Sequence, residues 1–279
     1  MGAKIYQNKK YIAFFLIPAF VFMLIFLYYP FIQNIINSFQ HIKYMGTAAD
    51  KWNVPFYKNY LEIFKDPKML IALKNTGIMI IATIVGEVGL AIVLSLLVSN
   101  IKKGAGFFRV VYFFPIVISA TALGLLFNLV FLYDKGMINQ LLQLIGVLDA
   151  GKNELIDWKA THPMFTMLVP VIWQYVGFYF IILLTGLSGI PEDLYEAAEI
   201  DGASKFQQVR YVTLPLLRNS ICTCVVLAVT GALKVFDLPW TMFVNGMSNT
   251  WLTGTYMYSK VYVDVDYSSA IAVVIVIIG

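Results

Sequence analysis

The sequence predicts an all-α protein that crosses a membrane several times. Hydrophobic residues make up 59% of the 279 residues and charged residues only 13%, whereas about 25% of the residues in a soluble domain are charged. Five apolar runs come up to the roughly 20 residues that a helix needs to cross the hydrocarbon core of a bilayer. Nearly the whole chain is therefore expected to form one transmembrane domain, residues 11–279.

The five apolar runs define the predicted spans in order. They cover residues 11–29, 77–98, 105–132, 164–187 and 220 to about 244. A sixth run begins near Ser268 and stops at Gly279, which is too short to span, so we expect the last helix to be truncated in this chain. The first run is longer than the apolar region of a signal peptide and lacks a small-residue cleavage site, which predicts a retained span.

Basic residues indicate the orientation. The short loop between the second and third runs carries Lys102 and Lys103 and no acid, whereas segment 34–74 is long and carries both signs of charge. Short basic loops stay in the cytosol, and long loops translocate largely regardless of charge. We therefore expect a multi-pass protein of the cell (plasma or inner) membrane with residues 1–10 in the cytosol. Segment 34–74 then lies outside, with a surface helix near residues 59–73.

Segment 190–217 is a polar interruption that still has the signals of a folded structure. Its sequence is IPEDLYEAAEIDGASKFQQVRYVTLPLL, and the spacing predicts two short helices. Gly202 suits the left-handed cap that ends a helix. Ser204 and Gln207 are spaced as a capping box for a second helix, which Pro215 is expected to close.

Three short motifs fall in register within this segment. They are Glu196-Ala197-Ala198, Asp201-Gly202-Ala203 and Thr213-Leu214-Pro215. In this order they resemble the EAA loop of the permease subunits of bacterial ABC importers, which are inner-membrane components of binding-protein-dependent transport systems. The longer pattern IPxxLYEAAxxDGAS…TLPLL resembles the carbohydrate-importing branch, of the maltose and multiple-sugar type. The resemblance covers nearly the whole chain and implies a six-helix, type I permease core.

The resemblance implies a mechanical role for segment 190–217. It would lie in the cytosol as the coupling segment, with a helix that seats in a groove of an ATPase subunit and transmits closure of the ATPase dimer to the membrane core. The residues that match the motif, and that would make or orient this contact, are Glu196, Ala197, Ala198, Asp201, Gly202, Leu214 and Pro215.

The same resemblance implies the companions of the chain. They are a second homologous permease subunit, a cytosolic dimer of ATP-binding subunits, an extracellular solute-binding protein and membrane lipid. ATP and Mg would be bound by the ATPase, so this chain is expected to bind no cofactor itself and to be a transporter subunit rather than an enzyme. A carbohydrate, expected to be an oligosaccharide, would be moved by alternating access.

Polar and aromatic groups within the spans are the candidates for the substrate pathway. Intramembrane charge is costly and commonly faces a cavity or a partner, and aromatic rings with hydrogen-bonding neighbours suit sugars. In maltose-type permeases, positions in the middle of the fourth and fifth spans line the cavity. The candidates from both arguments are Glu87, Asn128, Trp173, Gln174, Tyr175, Phe178, Gly231, Ala232, Lys234 and Asp237. Tyr179 is a further aromatic ring of the fourth span that suits a sugar.

Several of these assignments stay open at the level of sequence. Glu87 is compatible with a protonated side chain, with pairing to the partner permease, or with the pathway. Lys234 and Asp237 lie three residues apart, so they are compatible with an ion pair on one helix face or with a substrate site. An aromatic stripe such as the one around Trp173 is also typical of packing or of an interfacial belt.

Three alternative functions are weighed against the importer. An ABC permease of the same class could carry a glycerol phosphodiester, a polyol or a polyamine, and Lys234 keeps this open. An ion-coupled secondary transporter would use Glu87 and Asp237 as coupling carboxylates, but such folds show inverted repeats and broken helices, neither of which the sequence indicates.

A membrane enzyme or assembly factor has little support from the sequence. His41 and His162 have no neighbouring nucleophile, and there is no phosphate-binding glycine loop or metal-ligand spacing. Cys222 and Cys224 lie in an apolar run and are interpreted as packing residues. Scattered basic residues and a net charge of +4 argue against a nucleic-acid partner.

Overall fold

The computed structural model describes residues 9–101, 104–149 and 154–279, and these residues are mostly helical. Contacts divide the chain into two compact units, one formed by Met1–Asp66 with Met257–Ile278 and the other by Pro67–Tyr256. In chain order the α-helices are α1 (Lys9–Met23), α2 (Tyr29–Asn37), α3 (Lys58–Ile63), α4 (Pro67–Thr83), α5 (Leu90–Ser99), α6 (Ala105–Val117), α7 (Ala120–Val130), α8 (Met137–Leu144), α9 (Trp158–Thr161), α10 (Pro163–Ser188), α11 (Asp193–Ile200), α12 (Lys205–Gln208), α13 (Leu214–Leu216), α14 (Arg218–Lys234), α15 (Asp237–Met242), α16 (Thr253–Lys260) and α17 (Val265–Ile278).

Several helices are joined by irregular turns or followed by short elements. π-Helical turns link α1 to α2, α4 to α5 and α12 to α13, over Leu24–Tyr28, Ile84–Gly89 and Val209–Thr213. A 3₁₀ helix, Val244–Asn249, follows α15. Two short strands, β1 (Gln40–His41) and β2 (Lys51–Trp52), pair antiparallel.

Four helical stretches of the described residues are long and apolar enough to cross a membrane. They are Tyr11–Asn37, Pro67–Ser99, Pro163–Ser188 and Arg218–Met242. They coincide with the first, second, fourth and fifth predicted runs. Each extends beyond the predicted bounds at one or both ends, because a helix continues past its apolar residues. In the sixth run, α17 begins at Val265.

The third run is not the single straight span that we predicted. It forms α6 and α7, which are bent by 96° at a short break. Ile118 and Ser119 adopt extended backbone angles. The break leaves the Ile118 carbonyl without a helical partner, and the Gln174 side chain donates to it at 3.2 Å. This bond explains how the break is tolerated in an apolar environment.

The fifth run is also broken, between Lys234 and Asp237. Val235 has an extended ψ of 123° and Phe236 a φ of −139°, so α14 ends and α15 begins anew. The physical reason is Pro239, which has no N–H to donate to the Val235 carbonyl and whose ring disfavours helix in the preceding turn. The prediction that no broken helices occur is therefore wrong, and so is the placement of Lys234 and Asp237 on one helix face.

Segment 34–74 differs from the expected loop with a surface helix. α2 continues to Asn37, and Pro67 begins α4, the helix that becomes the second span. Residues 59–73 therefore do not form one helix, since α3 ends at Ile63. Proline after Asp66 favours a helix start rather than a helix interior.

The unit formed by Pro67–Tyr256 is built around α10. This helix packs against α5, α6 and α14, and half of its most apolar stretch is buried. Close approach of the helices depends on glycine. A Cβ added at Gly177 would lie on the Tyr112 backbone carbonyl oxygen, and one at Gly86 would lie 2.6 Å from Ile172 Cδ1.

The other unit has a polar centre. Asp266, which is 3% exposed, accepts hydrogen bonds from the side-chain amides of Asn53 at 3.3 Å and Asn59 at 3.0 Å. These bonds connect the segment after α2 and helix α3 to α17. Both amides donate to Asp266 Oδ2, which offsets part of the cost of burying the carboxyl group, whereas Oδ1 is buried without a hydrogen-bond partner in the described part of the chain.

Candidate functional site

Segment 190–217 folds as a compact projection of two helices. Gly202, with φ +77°, ends α11. The Gly202 amide donates to the Glu199 carbonyl at 3.1 Å and the Ala203 amide to the Ala198 carbonyl at 2.9 Å, which is the bonding pattern of a Schellman cap. The predicted left-handed cap at Gly202 is confirmed.

The second helix of the segment begins as predicted and continues further than predicted. Ser204 and Gln207 form the capping box. The helix then passes through the π turn Val209–Thr213 into α13, which contains Pro215. Pro215 therefore does not close the helix. The π turn directly before it is wider than an α-helical turn, so the helix continues although Pro215 has no N–H to donate.

Hydrogen bonds within the segment hold its two helices together on one face. The hydroxyls of Tyr195 and Thr213 lie 3.1 Å apart, and the buried Gln208 donates to the Ala203 carbonyl at 3.4 Å. Leu214 is half-buried, and the next residue, Pro215, is exposed. Between this face and the ends of α5 and α10 lies a cleft of about 770 Å³.

The opposite face presents the motif residues to solvent. Glu196, Ala197, Asp201 and Gly202 are exposed, and Ala198 is half-buried. The last acid of α11, Glu199, forms an ion pair with Lys205 at 2.9 Å. The hydrogen bond from that ammonium group lowers the pKa of the Glu199 carboxyl. The two side chains therefore close the turn around Gly202, a role that the sequence did not predict.

Large apolar side chains flank the motif on the same projection. Ile200 is 87% exposed, Phe206 72% and Tyr211 68%. Exposed apolar groups of this size on a polar segment are typical of a surface that binds a partner. Sequence reasoning missed them, although large apolar residues in an otherwise polar segment were a usable signal.

A second candidate site is a cavity of about 180 Å³ inside the unit Pro67–Tyr256. α10 contributes one wall, α14 and the break before α15 contribute another, and the π turn Ile84–Gly89 contributes a third. The lining residues are Thr83, Glu87, Ala120, Val171, Gln174, Tyr175, Tyr179, Ala228, Gly231, Ala232, Lys234, Val235, Phe236, Asp237 and Leu238. Seven of the ten predicted pathway residues are among them.

Glu87 is the most buried charged side chain of this cavity. It is 2% exposed and lies on a π turn, a distortion that is frequent at functional sites. Among the described residues it makes no hydrogen bond and no ion pair. A carboxylic acid in this position is free to interact with a molecule that enters the cavity.

Lys234 and Asp237 both line the cavity, but they form no ion pair with each other in the part of the chain that the structure describes. Of the two alternatives left open by the sequence, an ion pair or a substrate site, the ion pair is not formed. The physical cause is the break at Val235 and Phe236, which removes the two side chains from a common helix face. Both polar groups remain available to the cavity.

Three predicted pathway residues lie elsewhere. Trp173 is 41% exposed and packs edge-on against Phe127 at 5.8 Å. Phe178 packs against the hydrophobic core and against Tyr179. Asn128 accepts a hydrogen bond from Lys159 at 2.8 Å.

Tyr179 and Phe236 also line the cavity. Tyr179 was noted as an aromatic ring of the fourth span but not counted among the ten pathway residues, although it follows Tyr175 by four residues on the same helix face. Phe236 has no such signal, because its position depends on the break between α14 and α15.

Comparison with known proteins agrees with this architecture. The sequence profile of the family "Binding-protein-dependent transport system inner membrane component" matches residues 87–279. The chain is 34% identical over 277 residues to the "Probable ABC transporter permease protein YurN" of Bacillus subtilis, covering 98% of this chain and 93% of that protein. It is 31% identical over 283 residues to the arabinooligosaccharides transport system permease protein AraP of Halalkalibacterium halodurans, covering 98% and 85%.

The fold is similar to that of a solved transporter. A bacterial ABC transporter involved in the import of the acidic polysaccharide alginate superposes with a TM-score of 0.80 at 20% identity, covering 99% of this chain and 93% of the matched chain. The family consists of transporter subunits rather than enzymes. The chain therefore belongs to the inner-membrane components of binding-protein-dependent transport systems, the multi-pass permease subunits of ABC importers.

Proposed function

We propose that this chain is one transmembrane subunit of an ATP-driven importer that moves an oligosaccharide from an extracellular solute-binding protein into the cytoplasm by alternating access. The observation that carries the proposal is the capped two-helix projection 190–217, which exposes Glu196 and Ala197 to solvent beside exposed apolar side chains. A rigid projection of this kind suits a partner that pushes on it.

The substrate class rests on the relatives. One transports arabinooligosaccharides, and another is the multiple sugar-binding transport system permease protein MsmF of Streptococcus mutans, 31% identical over 274 residues. The cavity chemistry supports the same class. Tyr175 and Tyr179 offer aromatic faces and hydroxyls, and Gln174 and Glu87 offer amide and carboxyl groups.

The proposed companions follow from the same mechanism. A second permease subunit would complete the pathway, and a dimer of cytosolic ATPase subunits, with its ATP and Mg, would bind segment 190–217. The N-terminus and segment 190–217 would then lie in the cytosol.

The family assignment, rather than the number of broken helices, is the reason to set the ion-coupled alternative aside. A polyol, polyamine or glycerol phosphodiester remains the second candidate for the solute, because Lys234, Asp237 and Glu87 place charge in the cavity.

The proposal is tested by affinity purification of the tagged subunit from its native membrane, followed by mass spectrometry. We expect a second permease, an ATPase and a solute-binding protein to copurify, and the bound solute of the last identifies the substrate. Recovery of the subunit alone, from membranes that still transport, would overturn the ATP-driven mechanism. A binding protein loaded with a non-carbohydrate solute would overturn the substrate class only.

A further inference from the structure

The two helices that follow the backbone breaks pack tightly against each other. α7 begins after the break at Ile118 and Ser119, and α15 begins after the break at Val235 and Phe236. A Cβ added at Gly124 of α7 would lie 2.8 Å from Thr241 Cβ and 3.3 Å from the Leu238 carbonyl oxygen of α15. α7 and α15 therefore form one packed pair.

Both breaks border the transport cavity. Ala120, the first residue of α7, lines it, and so do Val235 and Phe236 at the start of α15. Breaks of this kind are where a helix segment can change direction as a unit. In the proposed orientation, the α7–α15 pair covers the extracellular side of the cavity.

Lys159 joins the far ends of this pair. Its ammonium group donates to Asn128 Oδ1 of α7 at 2.8 Å, and the Asn128 amide in turn donates to the Thr241 carbonyl of α15 at 3.4 Å. The ammonium group also lies 5.2 Å from the centre of the Phe243 ring, directly after α15. These contacts lie at the C-terminal ends of both helices, where the helix dipole favours a cation.

Hydrogen bonds hold the segment that carries Lys159. The Asp157 side chain caps α9 by accepting from the Ala160 amide at 3.1 Å. The Trp158 indole donates to Asn139 Oδ1 at 2.9 Å, and the Asn139 amide donates to the carbonyls of Tyr133 and Ile156. Partial burial lowers the pKa of Lys159, and the nearby Asp157 carboxylate opposes this shift.

We propose that Lys159 is the latch of the outer gate: by bonding Asn128 and covering Phe243 it holds α7 and α15 together over the cavity. The gate opens outward when this link breaks, so Lys159 is a positioning residue for the gate and not a solute ligand. The inference rests on the proposed function, because it assumes that the cavity opens alternately to the two sides of the membrane.

The latch is tested by the accessibility of the cavity from outside. A thiol is introduced by Gly231→Cys, where an added Cβ meets nothing nearer than Tyr179 Oη at 3.9 Å. Cys222 and Cys224 are first replaced by alanine. The assembled importer, in right-side-out membrane vesicles without nucleotide, is then exposed to a membrane-impermeant methanethiosulfonate reagent. We expect Lys159→Met to raise the rate of modification at least tenfold, and Lys159→Arg to leave it near the wild-type rate.

The matched control is Lys135→Met, which removes an exposed lysine of the same external segment and should not change the rate. A double-mutant cycle with Asn128→Leu guards against general loss of structure, because a latch acting through Asn128 predicts non-additive effects. An unchanged rate in Lys159→Met, or independent effects of the two substitutions, would overturn the latch. Sugar uptake by the same vesicles is measured separately, so failure of the proposed function shows as loss of uptake in the wild type.

Discussion

Gly202 sets the direction in which segment 190–217 turns. Its φ of +77° lies in the left-handed region, and an added Cβ would meet no atom within 4 Å. Any other residue at this position therefore experiences backbone strain of about 1–2 kcal/mol without a clash. A substitution is expected to relax the turn and change the angle between α11 and α12, without unfolding the membrane core.

We predict that Gly202→Ala lowers the amount of ATPase subunit that copurifies with the permease several-fold. The control is Gly146→Ala, because Gly146 also has a positive φ, +74°, and open space around it, but lies outside segment 190–217. Densitometry of the copurified ATPase measures the effect. Equal losses in both variants would show that the strain acts on general stability and not on coupling.

Helix caps were easier to predict from the sequence than the residues that line the cavity. Gly202, Ser204 and Gln207 were predicted correctly because helix caps depend on residues within one turn of each other. Trp173 was counted among the pathway residues, whereas Tyr179 was only noted as an aromatic ring of the same span. The rotation of α10 decides between them, and this rotation is fixed by packing against helices that are distant in sequence.

At the scale of elements, α6 and α10 are held together by a contact that only glycine permits. A Cβ at Gly177 would overlap the Tyr112 carbonyl oxygen, so any side chain would force two backbones apart. Packed interiors do not yield easily to such a change, and overpacking typically costs about 1–3 kcal/mol or more.

We predict that Gly177→Ala reduces the amount of folded protein in the membrane and lowers its thermal stability in detergent. Gly106→Ala is the matched control, since Gly106 lies in α6 with no atom within 4 Å of an added Cβ, and alanine favours a helix. Size-exclusion chromatography after a temperature series measures both. If the two variants melt together, the close approach of α6 and α10 is not needed for stability.

The elements also show where sequence reasoning fails. Apolar length located the spans, but it treated residues 105–132 and 220–244 as continuous. The break before α15 depends on Pro239, and the break before α7 is satisfied by a tertiary partner, the Gln174 amide that donates to the Ile118 carbonyl. A proline alone does not predict a break, since Pro170 lies inside the continuous helix α10.

At the scale of the whole molecule, the chain leaves a long apolar surface without cover. Residues 11–33 of the first span are all exposed, and the exposed groups include large side chains such as Phe14 and Phe15. Lipid and a companion permease are the surroundings that suit such a surface. This agrees with a subunit that acts only as part of an assembly.

The orientation of the chain is predicted by the same account. A cysteine at Ser204, which is exposed in the turn between α11 and α12, should react with an impermeant thiol reagent only in inside-out vesicles. A cysteine at Thr47, exposed between β1 and β2, should react only in right-side-out vesicles. Labelling of the Ser204→Cys variant from outside intact cells would reverse the topology and remove segment 190–217 from the cytosolic ATPase.

The measurement that tests the central claim most directly is ATP-driven solute uptake by the reconstituted importer. The permease, its copurified partners and the sugar carried by the binding protein are placed in proteoliposomes with ATP inside. We predict uptake by the wild type, and loss of most of it in Glu196→Ala with the solute-binding step intact. Uptake that needs no ATP, or that is unchanged in Glu196→Ala, would contradict coupling through segment 190–217.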